Sequence, residues 1–362
     1  MSRADLTRRL RERGAALVLL VALGAACGPP TLSQPRGTVH LAALARARGF
    51  YEHGQMREAA AAYAQAASAA ERRVDRDEAR YRQAKSLARA GQPSEALALL
   101  DEIAAARPAS RRTGRALYDS ARLRLRRAAD GDRARGLADF ERVVIEHSDH
   151  GLASRALVHL LSERERAHEP VEVTLGWLHA LDPRVAASDV GDDVLVAMAD
   201  REAARGDRAA ARAMLERVLV EHPYPTGQRF DDTCWRLADL DEADGDYARA
   251  IADLERLLRY VESTGAPGSY TLPRMPAAQL RVARLLRDRL RDAERAEQAY
   301  ARVYEHFPDS TLRDDAMLEE AALRLAHGER TRACALLTRV TQENEVGSAR
   351  RRALEALAVG CR

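Results

Sequence analysis

Apolar residues return every three or four positions along the chain, from about residue 40 onward, with charged residues between them. This is the spacing of amphipathic helices. Alternating runs of Val, Ile and Thr, which favour strands, are almost absent, and aromatic residues make up only 4% of the chain. The abundant residues Ala, Leu, Arg and Glu all have high helix propensity. The pattern therefore predicts an all-α fold.

Five segments share one pattern in register. Each has a glycine, an alanine five residues later, and further apolar positions at helical spacing after that. A small residue lies seven positions before each glycine. The glycines are Gly54, Gly91, Gly206, Gly245 and Gly328, and the small residues are Ala47, Ala84, Ala199, Ala238 and Ala321. Glycine takes the backbone conformation that ends a helix, and small residues let two helices cross closely. Each segment is therefore predicted to be a pair of helices joined by a glycine turn.

The glycine spacing also predicts the number of pairs. With Gly131 included, successive turn glycines are 37–40 residues apart, except for two gaps of 75 and 83 residues. Each long gap is expected to contain one degenerate pair, at 150–186 and 276–309. Prolines are expected to close the second helices, and they are Pro108, Pro183, Pro223 and Pro308. This predicts about eight helix pairs and a C-terminal capping helix at 348–361.

The pattern resembles the tetratricopeptide repeat (TPR), over nearly all of residues 40–345. The resemblance implies a right-handed helical-repeat solenoid whose concave face, lined by the first helix of each pair, binds another protein. The long period is similar to that of envelope TPR proteins of the BamD-type barrel-assembly and Tol-Pal-associated kinds. The expected order is repeats over 40–262, a Pro/Gly loop insertion at 263–276, and further repeats with the cap at 277–362.

The repeat register places candidate recognition residues on the concave face. These are Arg48, Tyr81, Lys85, Asp200, Trp235 and Asp239. Aromatic side chains beside charges are typical anchors for a protein partner. Two alternatives remain open: Trp235 packs between helices, and the loop insertion with Tyr270 is either a second contact or a spacer.

The first 26 residues predict a signal peptide. A segment with five Arg precedes the 12-residue apolar run Ala15–Ala26, which is shorter than the roughly 20 residues that span a bilayer. LGAAC at 23–27 resembles a bacterial lipobox, with Leu23 one place further from the cysteine than usual. The resemblance implies that Cys27 is lipidated, that 27–39 is a tether, and that the protein is a periplasm-facing outer-membrane lipoprotein. The alternative is an ordinary signal peptide cut nearby.

Removal of residues 1–26 also changes the charge. The chain has 58 basic and 55 acidic residues, and the segment removed holds five basic and two acidic ones, so the remainder is neutral. A nucleic-acid partner therefore has no electrostatic support. Export would place the other three cysteines in an oxidising compartment. Cys334 and Cys361 lie near facing ends of two predicted antiparallel helices and form a candidate disulfide, while Cys234 is expected to be buried.

No catalytic motif is present. The sequence contains no HExxH, CxxC, GxSxG or phosphate-binding glycine loop, so neither enzymatic activity nor a cofactor is expected. Glu–His pairs recur in ERVVIEHS, ERVLVEHP and ARVYEHFP, with His147, His222 and His306. The copies lie two or more repeats apart, roughly 16 Å or more, whereas a metal–nitrogen bond is about 2 Å long. They therefore cannot share an ion, and no metal site is predicted.

The favoured function is a non-catalytic, lipid-anchored scaffold that binds a protein in the bacterial cell envelope, with outer-membrane protein assembly as its setting. The alternatives are a pilotin-like or exopolysaccharide-secretion TPR lipoprotein and, in a different class, a soluble periplasmic metal-binding protein.

Overall fold

The computed structural model describes residues 37–259 and 274–361, which form seventeen α-helices and no strand. The helices are α1 Thr38–Glu52, α2 Met56–Ser68, α3 Arg73–Arg89, α4 Pro93–Ala105, α5 Thr113–Arg127, α6 Asp132–Glu146, α7 Ala153–Arg166, α8 Val171–Val185, α9 Gly191–Ala204, α10 Arg208–Glu221, α11 Phe230–Asp244, α12 Tyr247–Leu258, α13 Arg274–Asp288, α14 Ala293–His306, α15 Arg313–Ala326, α16 Arg330–Glu343 and α17 Ser348–Gly360. None of them is both long enough and apolar enough to span a membrane. The predicted signal peptide, Cys27 and Tyr270 lie outside the described residues.

The helices form pairs with short internal turns. Three residues separate α1 from α2 and α3 from α4, the length of a helical-hairpin connection. The odd-numbered helix is the first of each pair, and α17 follows the eighth pair alone. The prediction of an all-α helical-repeat fold with eight pairs and a terminal helix is confirmed.

The chain divides into two compact units, which the sequence did not predict. Unit 1 ends at Gly136 and unit 2 begins at Leu137, so the division falls within α6. Each repeat contacts mainly its neighbours, so the repeat pattern alone gives no reason for a boundary at one turn rather than another.

The predicted close-packing positions are buried in both units. The small residue before each turn glycine is at most 3% exposed, and the alanine after it at most 1%. The first set is Ala47, Ala84, Ala199, Ala238 and Ala321, and the second is Ala59, Ala96, Ala211, Ala250 and Ala333. A larger side chain at these positions would force the paired helices apart.

Left-handed backbone at the turns explains why two repeats looked degenerate. The six turn glycines have φ between +74° and +90°. In the two pairs without a turn glycine, the left-handed residues are His168 (φ 53°) and Arg291 (φ 56°). The turn geometry is thus retained, while the residue that marks it in the sequence is lost.

Replacing Arg291 by glycine is expected to raise the free energy of unfolding by roughly 0.5–1 kcal/mol. Relief of the left-handed strain outweighs the extra freedom of glycine in the unfolded chain. Urea denaturation followed by circular dichroism measures the change. The matched control is Arg295→Gly inside α14, which should lower stability by about 1 kcal/mol. Equal effects of the two substitutions would contradict the left-handed conformation of Arg291.

Three expected boundaries need correction. Pro183 does not close its helix, because α8 continues to Val185. Pro183 cannot donate to the carbonyl of His179 four residues earlier, but the lost bond affects only the last turn of α8, so most of the helix is undisturbed. The helix α1 begins at Thr38, inside the predicted tether, and α13 begins at Arg274, inside the predicted loop insertion.

Candidate partner-binding surface

Side chains of successive first helices contact one another, and they form what we call the A-helix surface of each unit. In unit 1 it consists of the first helices α1, α3 and α5, and in unit 2 of the first helices α7, α9, α11, α13 and α15 together with the terminal helix α17. All six predicted recognition residues lie on these helices. The structure brings Arg48, Tyr81 and Lys85 to the surface of unit 1, and Asp200, Trp235 and Asp239 to that of unit 2.

Tyr81 is not the exposed anchor that was expected. Its side chain is 4% exposed, and its hydroxyl donates a hydrogen bond of 2.5 Å to Asp119 on the next first helix. The guanidinium of Arg112 lies 5.2 Å from the ring centroid. Burial, reinforced by the Asp119 carboxylate, raises the pKa of Tyr81. Lys85 is exposed, with its ammonium 5.8 Å from the Tyr81 centroid. Tyr81 therefore holds α3 to α5, and of these two residues Lys85 is the one available for binding.

A groove crosses the A-helix surface of unit 1 and is called the Arg48 groove here. It has a volume of about 650 Å³. Residues from α1, from α3 with Arg72 just before it, and from the segment just before α5 line it, including His40, Leu44, Arg48, Val74, Glu78 and Arg111. Glu78 is held by Arg82 and Arg112. Although burial opposes ionisation, the hydrogen bond from Arg82 and the charge of Arg112 lower the pKa of Glu78.

In unit 2 the A-helix surface carries a series of acid–arginine pairs between successive first helices. Each pair joins residues about one repeat apart in sequence. The pairs are Glu165–Arg201 at 3.1 Å, Asp200–Arg236, Asp239–Arg281 and Glu242–Arg281 at 2.6 Å, Arg284–Glu319 at 2.6 Å, and Asp315–Arg352 at 2.6 Å. Several are solvent-exposed, where a single pair contributes only about 0–1 kcal/mol. Their main effect is to neutralise charge along this surface.

Two predicted recognition residues therefore already have partners. Asp200 pairs with Arg236, and Asp239 pairs with Arg281. Both remain exposed, so a ligand can reach them only in competition with these arginines. The sequence did carry a signal for the pairing, because acid and arginine recur 35–42 residues apart, the repeat period. These ion pairs were not predicted, because the charges of each helix were considered without those of the next repeat.

Trp235 lines a shallow groove of about 450 Å³ on unit 2, called the Trp235 groove here. The indole is half-buried, and the guanidinium of Arg281 lies 4.7 Å from its centroid. The other lining residues are Asp232, Arg236, Asp239, Arg274 and Ala277. Both interpretations of Trp235 are thus partly met, because one part of the ring packs against α13 while another borders an open groove.

Asp232 is a fixed negative charge in this groove. Burial opposes its ionisation, but hydrogen bonds and charge from Arg236 and Arg274 lower the pKa of Asp232. Arg236 donates to it at 2.8 Å and Arg274 at 3.1 Å. The groove therefore presents the face of an indole ring among alternating positive and negative side chains. This arrangement suits a polar partner surface that carries one apolar side chain, which would pack against the ring.

Beneath this surface, the joint between α10, α11 and α12 holds two buried carboxyls. Asp241 is 2% exposed and Asp253 is 7% exposed. Arg212 pairs with Asp241 and lies 3.6 Å from Asp253. Burial and the adjoining Asp241 carboxyl raise the pKa of Asp253 to about 7. This cluster was not predicted from the sequence, because the three residues come from different helices.

The structure joins Cys334 to Cys361 in a disulfide with a Cα–Cα distance of 5.8 Å. This is the pair that the antiparallel arrangement of the last two helices predicted. It fastens the end of α17 to α16. Cys234 is free and fully buried, and burial raises the pKa of its thiol to about 12. It therefore packs as a small apolar residue, as expected.

Over residues 37–259 and 274–361, no three metal-ligating side chains come together. His147 and His222 each have a buried Nε2 without a hydrogen-bond partner among the described residues. The side chain of His222 packs against Gly191, where an added Cβ would lie 2.8 Å from the imidazole. These histidines thus occupy the exits of second helices, as the repeat register predicted.

A model of the tetratricopeptide repeat matches residues 78–110 and 277–310. The first match covers most of α3 and all of α4, and the second covers most of α13 and all of α14. The second is one of the two pairs that lack a turn glycine. No curated protein matches the chain.

Several solved structures align with most of the chain at low similarity. A tetratricopeptide repeat protein from Parabacteroides merdae is 13% identical, with a TM-score of 0.29, over 90% of this chain and 100% of that one. The TPR2AB domain of yeast Sti1, in a complex with pHSP90, is 11% identical with a TM-score of 0.29, over 90% and 100% of the two chains. The TPR domain of P58(IPK) is 15% identical with a TM-score of 0.26, over 87% and 96%. The fold assignment rests on the helix pairs and the matched repeats.

Proposed function

Since the chain contains tetratricopeptide repeats, we propose that it is a non-catalytic scaffold whose A-helix surface binds another protein. The Trp235 groove is the observation that carries this proposal. Its half-buried indole borders open space among fixed charges. Tryptophan and arginine are the residues that most often dominate binding energy at protein interfaces. Nothing in the groove resembles a nucleophile with its base, so binding is the chemistry that it supports.

We further propose that the scaffold acts in the bacterial cell envelope, anchored to the outer membrane through a lipid on Cys27. The apolar run before Cys27 and the lipobox-like LGAAC support export and lipidation. The Cys334–Cys361 disulfide is consistent with an oxidising compartment. The resemblance of the long repeats to envelope proteins favours outer-membrane protein assembly as the setting.

Substitution Trp235→Ala is expected to reduce capture of the partner at least about tenfold, because truncation of an aromatic anchor commonly costs 2 kcal/mol or more. Photo-crosslinking from Ala277, which lines the groove, followed by mass spectrometry of envelope fractions, measures the yield of the adduct.

Trp177→Ala is the matched control for this experiment. Trp177 is also half-buried and has Arg164 4.2 Å from its ring centroid, but it lies on the second helix α8. Equal losses in the two variants would indicate a general effect of removing tryptophan and would contradict binding in the groove.

Substitution Cys27→Ala is expected to abolish incorporation of radiolabelled palmitate in a bacterial host, since the thiol is the proposed site of acylation. Inhibition of signal peptidase II should cause the unprocessed precursor to accumulate. Cys234→Ala, which removes a buried thiol, should leave labelling unchanged. Undiminished labelling of the Cys27 variant would exclude the proposed anchor.

A further inference from the structure

An ion pair that recurs on the second helices is missing from α14. In α6, α10 and α16, an arginine directly before a fully buried valine pairs with the glutamate one helical turn later. These pairs are Arg142–Glu146 at 3.0 Å, Arg217–Glu221 at 2.8 Å and Arg339–Glu343 at 2.8 Å. Arg302 occupies the same position in α14, but the residue four positions later is His306 rather than a glutamate.

A shift of one residue in the Glu–His sequence causes this difference. ERVVIEHS and ERVLVEHP place the glutamate four residues after the arginine, whereas ARVYEHFP places Glu305 three residues after it. Within the described residues, the side chain of Arg302 forms no ion pair or hydrogen bond. Residues four apart lie on the same face of a helix. The exposed side chains of Arg302 and His306 therefore lie together without an acid between them.

Arg302 and His306 line a pocket between the second helices α12 and α14, called the Arg302 pocket here. Its volume is about 560 Å³. The last turn of α12 contributes Glu255 and Arg256, and Arg259 follows directly after that helix. Among the described residues, three arginines and a histidine thus line the pocket against one carboxylate. The pocket therefore has an excess of positive charge, and it favours an anionic ligand.

The arginines of the pocket have donors to spare on both of its sides. On the α12 side, Arg256 donates to Glu216 at 3.1 Å, which uses one of its five N–H groups. Arg259 has no ion pair or hydrogen bond within residues 37–259 and 274–361. Arg302 donates from the α14 side. A carboxylate offers two oxygens in one plane, whereas a phosphate group offers three acceptor oxygens to donors in different directions. The arrangement therefore suits a phosphate group.

The pocket is larger than a bare phosphate ion requires. Its volume is within the usual range for sites that hold small organic ligands. Ala252 and Leu258 contribute apolar surface to the lining. Gln279, which is 4% exposed, reaches the pocket from α13, and its Nε2 donates to the backbone carbonyl of Ala299 at 3.0 Å. These residues offer contacts for an organic group that carries the phosphate.

We propose that the Arg302 pocket binds the phosphate group of a phosphate monoester. Arg259 and Arg302 donate to the phosphate oxygens, His306 is a further donor, and the organic part lies against Ala252 and Leu258. The pocket is formed by second helices, so it is separate from the A-helix surface and adds a ligand site to the proposed scaffold function. A soluble ester and the headgroup of the lipid phosphatidate share this chemistry.

Isothermal titration calorimetry of the purified protein with glycerol 3-phosphate at pH 7.5 tests the proposal. One molecule should bind per chain, glycerol should not bind, and binding should weaken as salt rises. Arg259→Gln/Arg302→Gln should bind at least about tenfold more weakly, since each lost charged hydrogen bond contributes appreciably. The matched control is Arg295→Gln/Arg332→Gln, at two second-helix residues outside the pocket that are 54% and 73% exposed. Its affinity should stay within about twofold.

His306→Glu tests the missing ion pair directly. It installs the glutamate that α6, α10 and α16 carry at this position, so it should pair with Arg302 and place a negative charge in the pocket. Binding of glycerol 3-phosphate should fall at least about tenfold. His306→Gln keeps an uncharged hydrogen-bond donor and should bind within about threefold of the wild type.

Sedimentation with phosphatidylcholine vesicles, with and without phosphatidate, distinguishes the two sources of the phosphate group. Arg302-dependent sedimentation with phosphatidate indicates a lipid headgroup, and binding of glycerol 3-phosphate alone indicates a soluble ester.

Three results would overturn the proposal. The first is that folded wild-type protein, verified by circular dichroism, binds neither glycerol 3-phosphate nor phosphatidate vesicles. The second is an equal loss in both double variants, which would indicate attraction by net charge. The third is displacement of glycerol 3-phosphate by an equal concentration of acetate, which would indicate a site for any anion. Each can occur while crosslinking from Ala277 remains dependent on Trp235, so this inference can fail while the scaffold function stands.

Discussion

Substitution Arg212→Met should lower the free energy of unfolding by about 3–5 kcal/mol at pH 8, the usual cost of leaving a buried charge without its partner. Arg212 faces the buried carboxyls of both Asp241 and Asp253 and lies 3.4 Å from Glu216, whereas Arg249 approaches only Asp241, at 3.9 Å. Methionine fills a similar volume but supplies no charge. Urea denaturation measures the loss.

Arg208→Met is the control on the same helix. Arg208 pairs with Asp244 at 2.6 Å, but both side chains are about half exposed, at 52% and 50%. Screening by solvent limits the contribution of such a pair to about 0–1 kcal/mol. A loss at Arg212 no larger than the loss at Arg208 would contradict the role of burial.

The pH dependence provides an independent readout of the same cluster. The pKa of Asp253 is raised to about 7 from its usual 3.8, so the folded state binds a proton more tightly than the unfolded state. The stability contributed by this protonation is fully present below about pH 4 and is lost as the pH rises through about 7. The defect of Arg212→Met should therefore shrink at pH 5, where the carboxyl pair retains a proton. Asp253→Asn should reduce the slope of stability against pH between 5 and 8.

Removing the disulfide with Cys334→Ala/Cys361→Ala should cost about 3.5 kcal/mol on the chain-entropy model, for a sequence separation of 27 residues. Ala353 is the only residue of α17 with a fully buried side chain, so the bond is a major attachment of this helix. Hydrogen exchange of α17 amides, compared with those of α15, localises the effect.

Cys234→Ala separates loss of the bond from loss of a thiol. Cys234 is buried but unbonded, and its replacement removes one small side-chain atom, which should cost about 1 kcal/mol. Rapid exchange confined to α17 in the double variant is the expected pattern. Unchanged protection of α17 would show that packing alone holds the helix.

Most of the fold was present in the sequence, because it depends on local spacing. Ala84 and Ala96 indicate a close helix crossing, and Gly91 indicates the turn between the two helices. All three lie within 13 residues. Such short-range rules gave the number of pairs, the terminal helix and the Cys334–Cys361 pairing. They failed at the turn where Arg291, with φ 56°, adopts the left-handed conformation in place of glycine. They also failed at Pro183, which lies within the last turn of its helix and does not end it.

The candidate sites were predicted less completely, since a residue's availability depends on the next repeat. Tyr81 was placed on the correct surface, but Asp119, 38 residues away, determines that its hydroxyl is already bonded. Asp239 was also placed correctly, yet it already forms an ion pair with Arg281 from the following helix pair. Arg48 was named for its position alone, and only the neighbouring pairs show that its charge is left without an acid.

The sequence by itself thus determined the helices, their pairing and the surface on which partners are expected, because the pattern of small and apolar residues acts within one repeat. Only the tertiary structure decided which charges on that surface are neutralised and which are free to bind. Ion pairs form between side chains from different repeats, and no single repeat contains the information about the residue that its neighbour will present.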